Sequence, residues 1–485
     1  MYGPMSIIRS SLPAALLAAF ILPATGCGKV GPEYIRPTPV FEIPGSFQHA
    51  AREGPSPTGE RWWLLFGDDE LAGLVDLALE NNLDLREATS RILEAEAEWI
   101  RARSFRYPAL GLQAGVSRQE LPETVTGFGD GSLNTESYDL SLAAAYEVDL
   151  WGRLARADEA ARAELLESEE NRATIAQTLV SQVVRGYLLT RVLEKRLVIA
   201  RSSIMTFEKS LEVIEGRYRR GLGTSLDVRR SRRTLKSAEA LIPELKEELG
   251  RAQIELTALL GQYPRTAPAR EPSLVAHSDL PSIPPGLPSD LLQRRPDIRA
   301  AESRLRALNA RIGQAAAERY PAIILTGTLG SASVELQDLL IPESLLWRLA
   351  LGLTQPLFDA GEREAAQQAA EARYQQAVSA YFKTILEAFG EVERSLLVQK
   401  RQKERVDFLR EAFEEAKASQ SEAQVRYLRG LEDYLTVLES QRTRYQLEDE
   451  LVLTELALLT SLVTLYRALG GRWPDEFGET GDKGT

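Results

Sequence analysis

Catalytic chemistry has few footholds in this 485-residue chain. It holds two histidines, His49 and His277, far apart, and one cysteine, Cys27. One cysteine can make neither an internal disulfide nor a cysteine-rich zinc site. There is no P-loop, GxSxG, HExxH or dinucleotide fingerprint, and the carboxylates form no convincing catalytic pair. No enzyme, cofactor or metal centre is expected. The charged residues that draw notice sit in two related stretches, RYRRGLGTSLDV (217–228) and RYLRGLEDYLTV (426–437). The first is basic, with Arg217, Arg219 and Arg220, then Arg229, Arg230, Arg232, Arg233 and Lys236 beyond it, and it carries Asp227. The second sets Arg426 and Arg429 beside Glu432 and Asp433, with Glu439 further on. Such groups can neutralise one another across a turn or steer a complementary surface. The plainer reading is a pair of solvated helix ends.

With 70 acidic and 58 basic side chains, the formal charge is −12. That balance argues against a nucleic-acid binder, which needs a basic face for phosphate. The N-terminus has a charged residue, Arg9, then an apolar run to about Ile21, the form of a secretory signal over 1–26. The run is short of the ~20 residues a spanning helix needs, and Pro13 and Pro23 interrupt it. It ends in Ala24-Thr25-Gly26-Cys27, which resembles a bacterial lipobox, although alanine stands where leucine is usual three places before the cysteine. Cys27 is therefore the expected lipidation site and mature N-terminus. No later stretch is a convincing membrane helix; the most apolar, 451–466, is broken by Glu455 and threonines.

The two charged stretches belong to an internal duplication. At a shift of 209, Arg217, Tyr218, Arg220, Gly221, Leu222, Leu226, Val228, Ser231, Arg233 and Thr234 are repeated. Upstream, 84–112 aligns with 297–325, both passing through Arg-Tyr-Pro-Ala. The halves close on LLGQYP (259–264) and LGGRWP (469–474). The organisation expected is a lipidated segment 27–70, a first repeat 71–264, a proline-rich connector 265–296, a second repeat 297–474 and a tail 475–485. Two long units, not a solenoid array, follow from that period.

Each repeat opens with a helical pattern that ends before Pro108 or Pro321, because proline disfavours helix in the residue before it. The period then changes to two, predicting β-hairpins over about 108–150 and 321–358. Leu110, Leu112, Ala114 and Val116 alternate with Gly111, Gln113 and Gly115. Tyr138, Leu140, Leu142, Ala144, Tyr146, Val148 and Leu150 do the same, as do Ile323, Leu325, Gly327 and Leu329, then Trp347, Leu349, Leu351 and Leu353. This suits a strand with lipid on one face and water on the other, or a half-buried strand in a soluble sheet. The polar, glycine-containing stretch 119–136 reads as an exposed hairpin loop. Four strands cannot close a barrel, and an open edge is not viable in lipid; three chains would supply twelve strands. Next comes a proline-free run from Leu154 to Arg220, with a counterpart at 362–429, each about 100 Å as helix. In the second, Val378, Tyr381, Ile385, Ala388 and Val392 make one seam, and Phe382, Leu386, Phe389 and Leu396 another. Returning helices over Leu226–Gly261 and Asp433–Leu469 complete two long hairpins. Gly221 and Gly223, or Gly430, are the candidates for the freedom that a tight turn needs.

The chain resembles the TolC-like outer-membrane efflux factors, in the lipoprotein branch serving resistance-nodulation-division pumps. The resemblance rests on CGKVGPEYIRP (27–37), RWWLLFGDDELAGLV (61–75), NNLDLREA (81–88), RYPAL (106–110), YEVDLWGR (146–153), GLPSDLLQRRPDIRAAE (286–302), RYPAI (319–323), LTQPLFDAG (353–361) and both tip motifs. It implies a mainly α fold with a small β part, built of two tandem repeats. It also implies a homotrimer with a twelve-stranded outer-membrane barrel on a periplasmic α-helical barrel, working with a periplasmic adaptor and an inner-membrane pump. In that family the hairpin tips carry an iris-like gate and the adaptor-docking surface. By position Asp227 matches an acidic partner in that gate and Tyr427 its tyrosine; Arg426 and Arg429 are expected to neutralise Glu432, Asp433 or Asp227 when it is shut, with Glu439 beside them as a further gate candidate. Glu432 replaces an arginine found in some members, and Thr436 a pore-lining aspartate, so the latch differs in detail. Docking falls to Arg220, Gly221, Leu222, Gly223, Arg229, Arg230, Gly430 and Leu431. An exit channel for type I protein secretion and a non-channel periplasmic coiled-coil lipoprotein are the alternatives.

Overall fold

The computed structural model describes residues 29–50, 61–121, 133–268, 286 and 288–470. The signal segment, Cys27, His277, most of the connector and the tail lie outside the described residues. Twelve elements carry the architecture: α1 (Asp69–Asn81), α2 (Leu83–Ser104), β1 (Ala109–Leu121), β2 (Leu133–Glu147), α3 (Arg153–Arg219), α4 (Ser225–Leu259), α5 (Pro288–Arg294), α6 (Pro296–Ala317), β3 (Ala322–Ser333), β4 (Leu345–Thr354), α7 (Glu362–Leu428) and α8 (Tyr434–Ala468). The duplication is visible in their lengths. The long helices α3 and α7 have 67 residues each, α4 and α8 have 35, and α2 and α6 have 22. The starts of α3 and α7, and of α4 and α8, differ by the same 209 positions (362 − 153 and 434 − 225).

Among the described residues the chain divides into two compact units. The first comprises residues 29–37, 93–166 and 302–379, and the second 38–92, 167–301 and 380–470. The first unit holds one antiparallel sheet in the order β1-β2-β3-β4. Its central β2–β3 ladder joins the two repeats. In register, Leu112 lies opposite Leu142, Leu142 opposite Leu329 and Leu329 opposite Trp347. Successive side chains alternate between faces, so one face carries this apolar row together with Leu110, Val116, Leu325, Leu349, Leu351 and Leu353. All of these are exposed in the single chain. The other face carries Gln113, Ser117, Asp139, Ser141, Thr326, Thr328 and Arg348. On the apolar face, an Arg118–Glu136 ion pair at 3.2 Å ends the row beyond Val116. The strand that alternation extends to Leu150 stops at Glu147. There Glu147 accepts from Arg153, and Asp149 accepts from the backbone of Ala155 in the first turn of α3. Val148 N–H still donates to the carbonyl of Ile323 at 2.9 Å before the chain turns into α3. The strands also run further into 119–136 than a wholly looped reading expects, with 122–132 outside the described residues.

The start of the described chain is held to this unit by a buried cation. Arg156 is fully buried and donates to Glu33 at 2.9 Å, Glu159 at 3.0 Å and the carbonyl of Val30. A guanidinium taken out of water needs such partners. Gly31, at φ +96°, approaches Gly313 so closely that a Cβ would lie 2.4 Å from its Cα.

In the second unit Trp62, Trp63 and Phe66 pack with Leu179, Val183 and Tyr187 of α3 and with Leu459, Leu462 and Tyr466 of α8. Trp62 stacks on Tyr466 at 5.1 Å. Helix α8 is long and apolar enough to cross a membrane by composition, yet half of its apolar stretch is buried inside the chain. Packing accounts for its apolarity. On α7, Tyr381, Ile385, Ala388 and Val392 of the first seam are buried, while Val378 is half-buried. The second seam is only partly covered, with Leu396 buried and Leu386 half exposed.

Candidate functional site at the hairpin tips

Both long helices end in one device. Leu222 N–H donates to the carbonyl of Arg217 and Gly221 N–H to that of Tyr218, at 2.9 and 3.0 Å. Leu431 N–H donates to Arg426 and Gly430 N–H to Tyr427 at the same distances. This is the Schellman pattern, which satisfies the last carbonyls with a left-handed residue after the cap. Gly221 and Gly430 supply it at φ +65° and +74°. Gly223 has no positive φ, so the turn does not draw on its freedom. Leu222 and Leu431 are left exposed at the apices.

The returning helices are then capped differently. Thr224 and Asp227 form a reciprocal capping box at α4, Asp227 N–H donating to the threonine hydroxyl and its carboxylate accepting from Thr224 N–H and, at 2.7 Å, from its hydroxyl. Asp433 caps α8 alone, accepting from Thr436 N–H and hydroxyl, both at 3.0 Å. Those hydrogen bonds hold the Asp433 carboxyl below its ordinary pKa, with distant Arg230 adding a little. Two of the acidic tip residues thus already hold a helix terminus.

Between the hairpins lies a small aromatic core. Tyr427 and Tyr434 are buried, their rings 5.8 Å apart, with Ile214, Val228, Ala423, Val437 and Leu438. The Arg217 guanidinium sits 4.9 Å from the Tyr427 ring centroid, a cation–π contact. Tyr434 donates from its hydroxyl to Ser231 at 3.0 Å. Burial pushes the Tyr427 phenol up, Arg217 opposes this, and Asp227 adds to it. Asp227 therefore acts on Tyr427 through its field while its hydrogen bonds go to Thr224.

Of the arginines, Arg426 pairs with Glu432 at 3.3 Å and Glu422 at 3.7 Å. Arg220 turns back to donate to the carbonyl of Gly216. Among the described residues Arg429 and Glu439 form no ion pair with each other or with Asp227, Glu432 or Asp433. The structure thus brings Arg426 and Glu432 together, and Asp227 near Tyr427, but not Arg429. On the first hairpin Arg232 donates to Glu215 at 2.6 and 3.1 Å. It helps line an open groove of about 560 Å³ with Tyr218, Arg219, Ser225, Val228 and Arg229. Sequence reasoning missed Tyr434 and the role of Arg217. The available signal was that Tyr434 lies seven residues after Tyr427, one heptad along.

The chain matches the family described as outer membrane efflux protein over two stretches, 74–262 and 287–471.

The chain belongs to the outer membrane efflux protein family.

The two matched stretches are its tandem repeats. It is 36% identical over 409 residues to the solvent efflux pump outer membrane protein SrpC of Pseudomonas putida, covering 84% of this chain and 86% of SrpC. It is 34% identical over 469 residues to the outer membrane protein OprJ of Pseudomonas aeruginosa, covering 95% and 96%. Among solved structures, the outer-membrane channel OprN superposes with a TM-score of 0.85 at 30% identity, covering 92% of this chain and 99% of OprN. The MtrE channel of Neisseria gonorrhoeae, in its open state, gives 0.82 at 28%, covering 92% and 98%. The fold is TolC-like, and this member of the family is an outer-membrane efflux channel.

Proposed function

We propose that three copies of the chain form the exit duct of a tripartite efflux pump, passively passing substrate from an inner-membrane pump and a periplasmic adaptor across the outer membrane. The observation that carries this is the sheet: four strands, one apolar exposed face, and an unpaired edge on β1 and on β4. A bare edge is untenable in lipid, and edge-to-edge closure of three sheets into twelve strands removes every edge. Relatives named for efflux of solvents and toluene and for pyoverdine export support a pump role over protein secretion. Nothing in the site offers catalytic chemistry.

In this reading the tips form the periplasmic end. Tyr427, stacked by Arg217 and within the field of Asp227, is the element on which the gate turns. Arg426 with Glu432 ties the second turn, while Asp433 orders the start of α8. The exposed Leu222 and Leu431, with Arg220, Arg229, Arg230, Gly221, Gly223 and Gly430, meet the adaptor. Cys27 bears the lipid that anchors the chain at the outer membrane, two residues before the segment clamped by Arg156.

The test is native mass in detergent together with single-channel conductance. A mass of three chains and a largely closed wild-type channel are expected, with Asp227→Ala and Tyr427→Phe raising the open fraction. A single-chain mass, or an unchanged closed state in both variants, overturns the duct or the gate respectively. Loss of fatty-acid labelling in Cys27→Ser checks the anchor, and weaker adaptor cross-linking by Arg230→Glu checks docking.

A further inference from the structure

Far from the tips, the second unit carries a guanidinium without a carboxylate. Arg185 lies half-buried on α3 and donates to the Thr464 hydroxyl of α8 at 2.6 Å. Among the described residues it forms no ion pair, and its Nε is shut off from water with no acceptor. The Nε of Arg467, three residues beyond Thr464, is in the same state. The two charges feel each other: burial pushes the Arg185 pKa down, and the Arg467 charge pushes it further. The carboxylate that reaches Arg467 is already shared. Glu391 accepts from Arg467 at 3.2 Å and from Arg295 at 2.9 Å, and Arg295 also holds Asp297. Three guanidiniums thus divide two carboxylates, and Arg185 has neither. The duplication shows what is missing. At the shift of 209 the counterpart of Arg185 is Arg394, which is exposed. Three residues before Arg394 stands Glu391, whereas three before Arg185 stands Gln182. The counterpart of Thr464 is Glu255. Both positions are acidic in the other copy and neutral around Arg185. A buried donor without a partner is costly, and a water accepting from Nε would leave two like charges uncompensated.

The direction of this pair follows from its neighbours. Tyr187 and Tyr466 stand two residues beyond Arg185 and Thr464, and both lie against the 62–81 segment. Tyr187 donates to Asp68 at 2.6 Å, and Tyr466 stacks on Trp62. Two residues are about 200° of helical turn, so Arg185 and Thr464 point to the opposite side of α3 and α8. Elements packed on the wall of a duct clad it from outside, because on the inside they would block it. The opposite side is the lumen.

We infer that Arg185 and Arg467, with the Thr464 hydroxyl, form an anion site on the inner wall of the duct, which takes the carboxylate or phosphate group of a passing solute. The inference rests on the duct reading above. Forked guanidinium donors match such groups in both geometry and charge. Three copies turn the site into a cationic ring at one level, within a protein whose chains each carry a formal charge of −12. A ring of one sign raises the local concentration of the opposite ion. Solutes bearing a carboxylate or phosphate are thereby admitted past walls that their charge would otherwise disfavour.

The test uses the full chain in detergent, with inorganic phosphate as the probe. Melting temperature is read in phosphate and in chloride at matched ionic strength. A ligand that binds only the folded state raises it, whereas the general effect of phosphate on burial acts on every variant alike. A rise in phosphate over chloride is expected in the wild type and in Arg394→Gln, with that extra rise lost in Arg185→Gln. An equal rise in Arg185→Gln overturns the site. In planar bilayers holding many channels, Arg185→Gln should lower the anion-to-cation permeability ratio, read as the zero-current potential in a salt gradient. Arg185→Glu should lower it further. A lost phosphate response with an unchanged ratio overturns the placement in the lumen, and with it the role in passage. A chain of single-chain native mass that keeps its Arg185-dependent phosphate response overturns the duct reading and spares the site.

Discussion

The two hairpin tips share a backbone and ten repeated residues, and differ in what the remaining side chains do. Both turns make the same pair of hydrogen bonds around a left-handed glycine. Yet seven residues after the tyrosine that both copies carry, the second hairpin has Tyr434, buried at 5% exposure, and the first has Ser225, exposed. The same contrast holds between Leu438 and Arg229, and between Gln441 and Arg232. Duplication kept the part set by local sterics and let the side chains specialise, one copy into core and the other into charged surface.

The sharpest way to break this contrast is truncation at matched positions. Tyr434→Ala should cost about 3–5 kcal/mol, as removal of a buried aromatic ring does, whereas Ser225→Ala should stay within about 0.5 kcal/mol. Thermal or denaturant unfolding of both variants would show it, and equal losses would mean that the tips are not divided into core and surface. The shared backbone makes the opposite forecast. Gly221→Ala and Gly430→Ala meet no neighbouring atoms, so only the positive φ is penalised, by roughly 1–2 kcal/mol in each. A large difference between the two would show that one turn carries strain the other lacks.

Cap removal should be milder and again unequal in kind. Asp227→Ala should cost about 1 kcal/mol, and Asp433→Ala should lower stability in the same direction. Only the first also removes a negative field from Tyr427, so only it should lower the phenol's pKa, read by ultraviolet titration. The smallest effect is on pH. The Asp433 carboxyl is held below the unfolded value, so its contribution is complete above that value and fades as pH falls through the lower, folded one. A lower protection factor for the Thr436 amide, taken relative to its intrinsic exchange rate at each pH, is expected in acid.

Much of this was legible because it is local. The period of two near 110 and 140, the proline-free runs and the glycine turns each act within a few residues. The limits of that reading are equally physical. Strand β2 ends at Glu147, with one further bond from Val148 N–H to Ile323, because the chain then turns into α3, whose first turn Asp149 caps; alternation does not register that turn. Gly223 resembled a turn glycine only by composition. Asp227 matched a gate position, but its capping box depends on Thr224 three residues before it, a pattern present in the letters and passed over. Arg429 looked equivalent to Arg426, yet only Arg426 reaches Glu432. The direction of a flexible side chain at an exposed turn is not fixed by spacing.

By itself the sequence determined that the chain is two copies of one helix–hairpin–helix unit, with amphipathic strands and long helices that reverse at glycine. Those features follow from periodicity and backbone sterics, which need no partner. The tertiary structure alone decided that β2 pairs with β3 to weld the repeats into one sheet, that Arg156 is buried on the N-terminal segment, and that α8, not α4, gives its seam to the core. These outcomes depend on contacts between residues more than a hundred positions apart, and two helices of equal length at matched positions reached different ends because the side chains of only one found their complement within the chain.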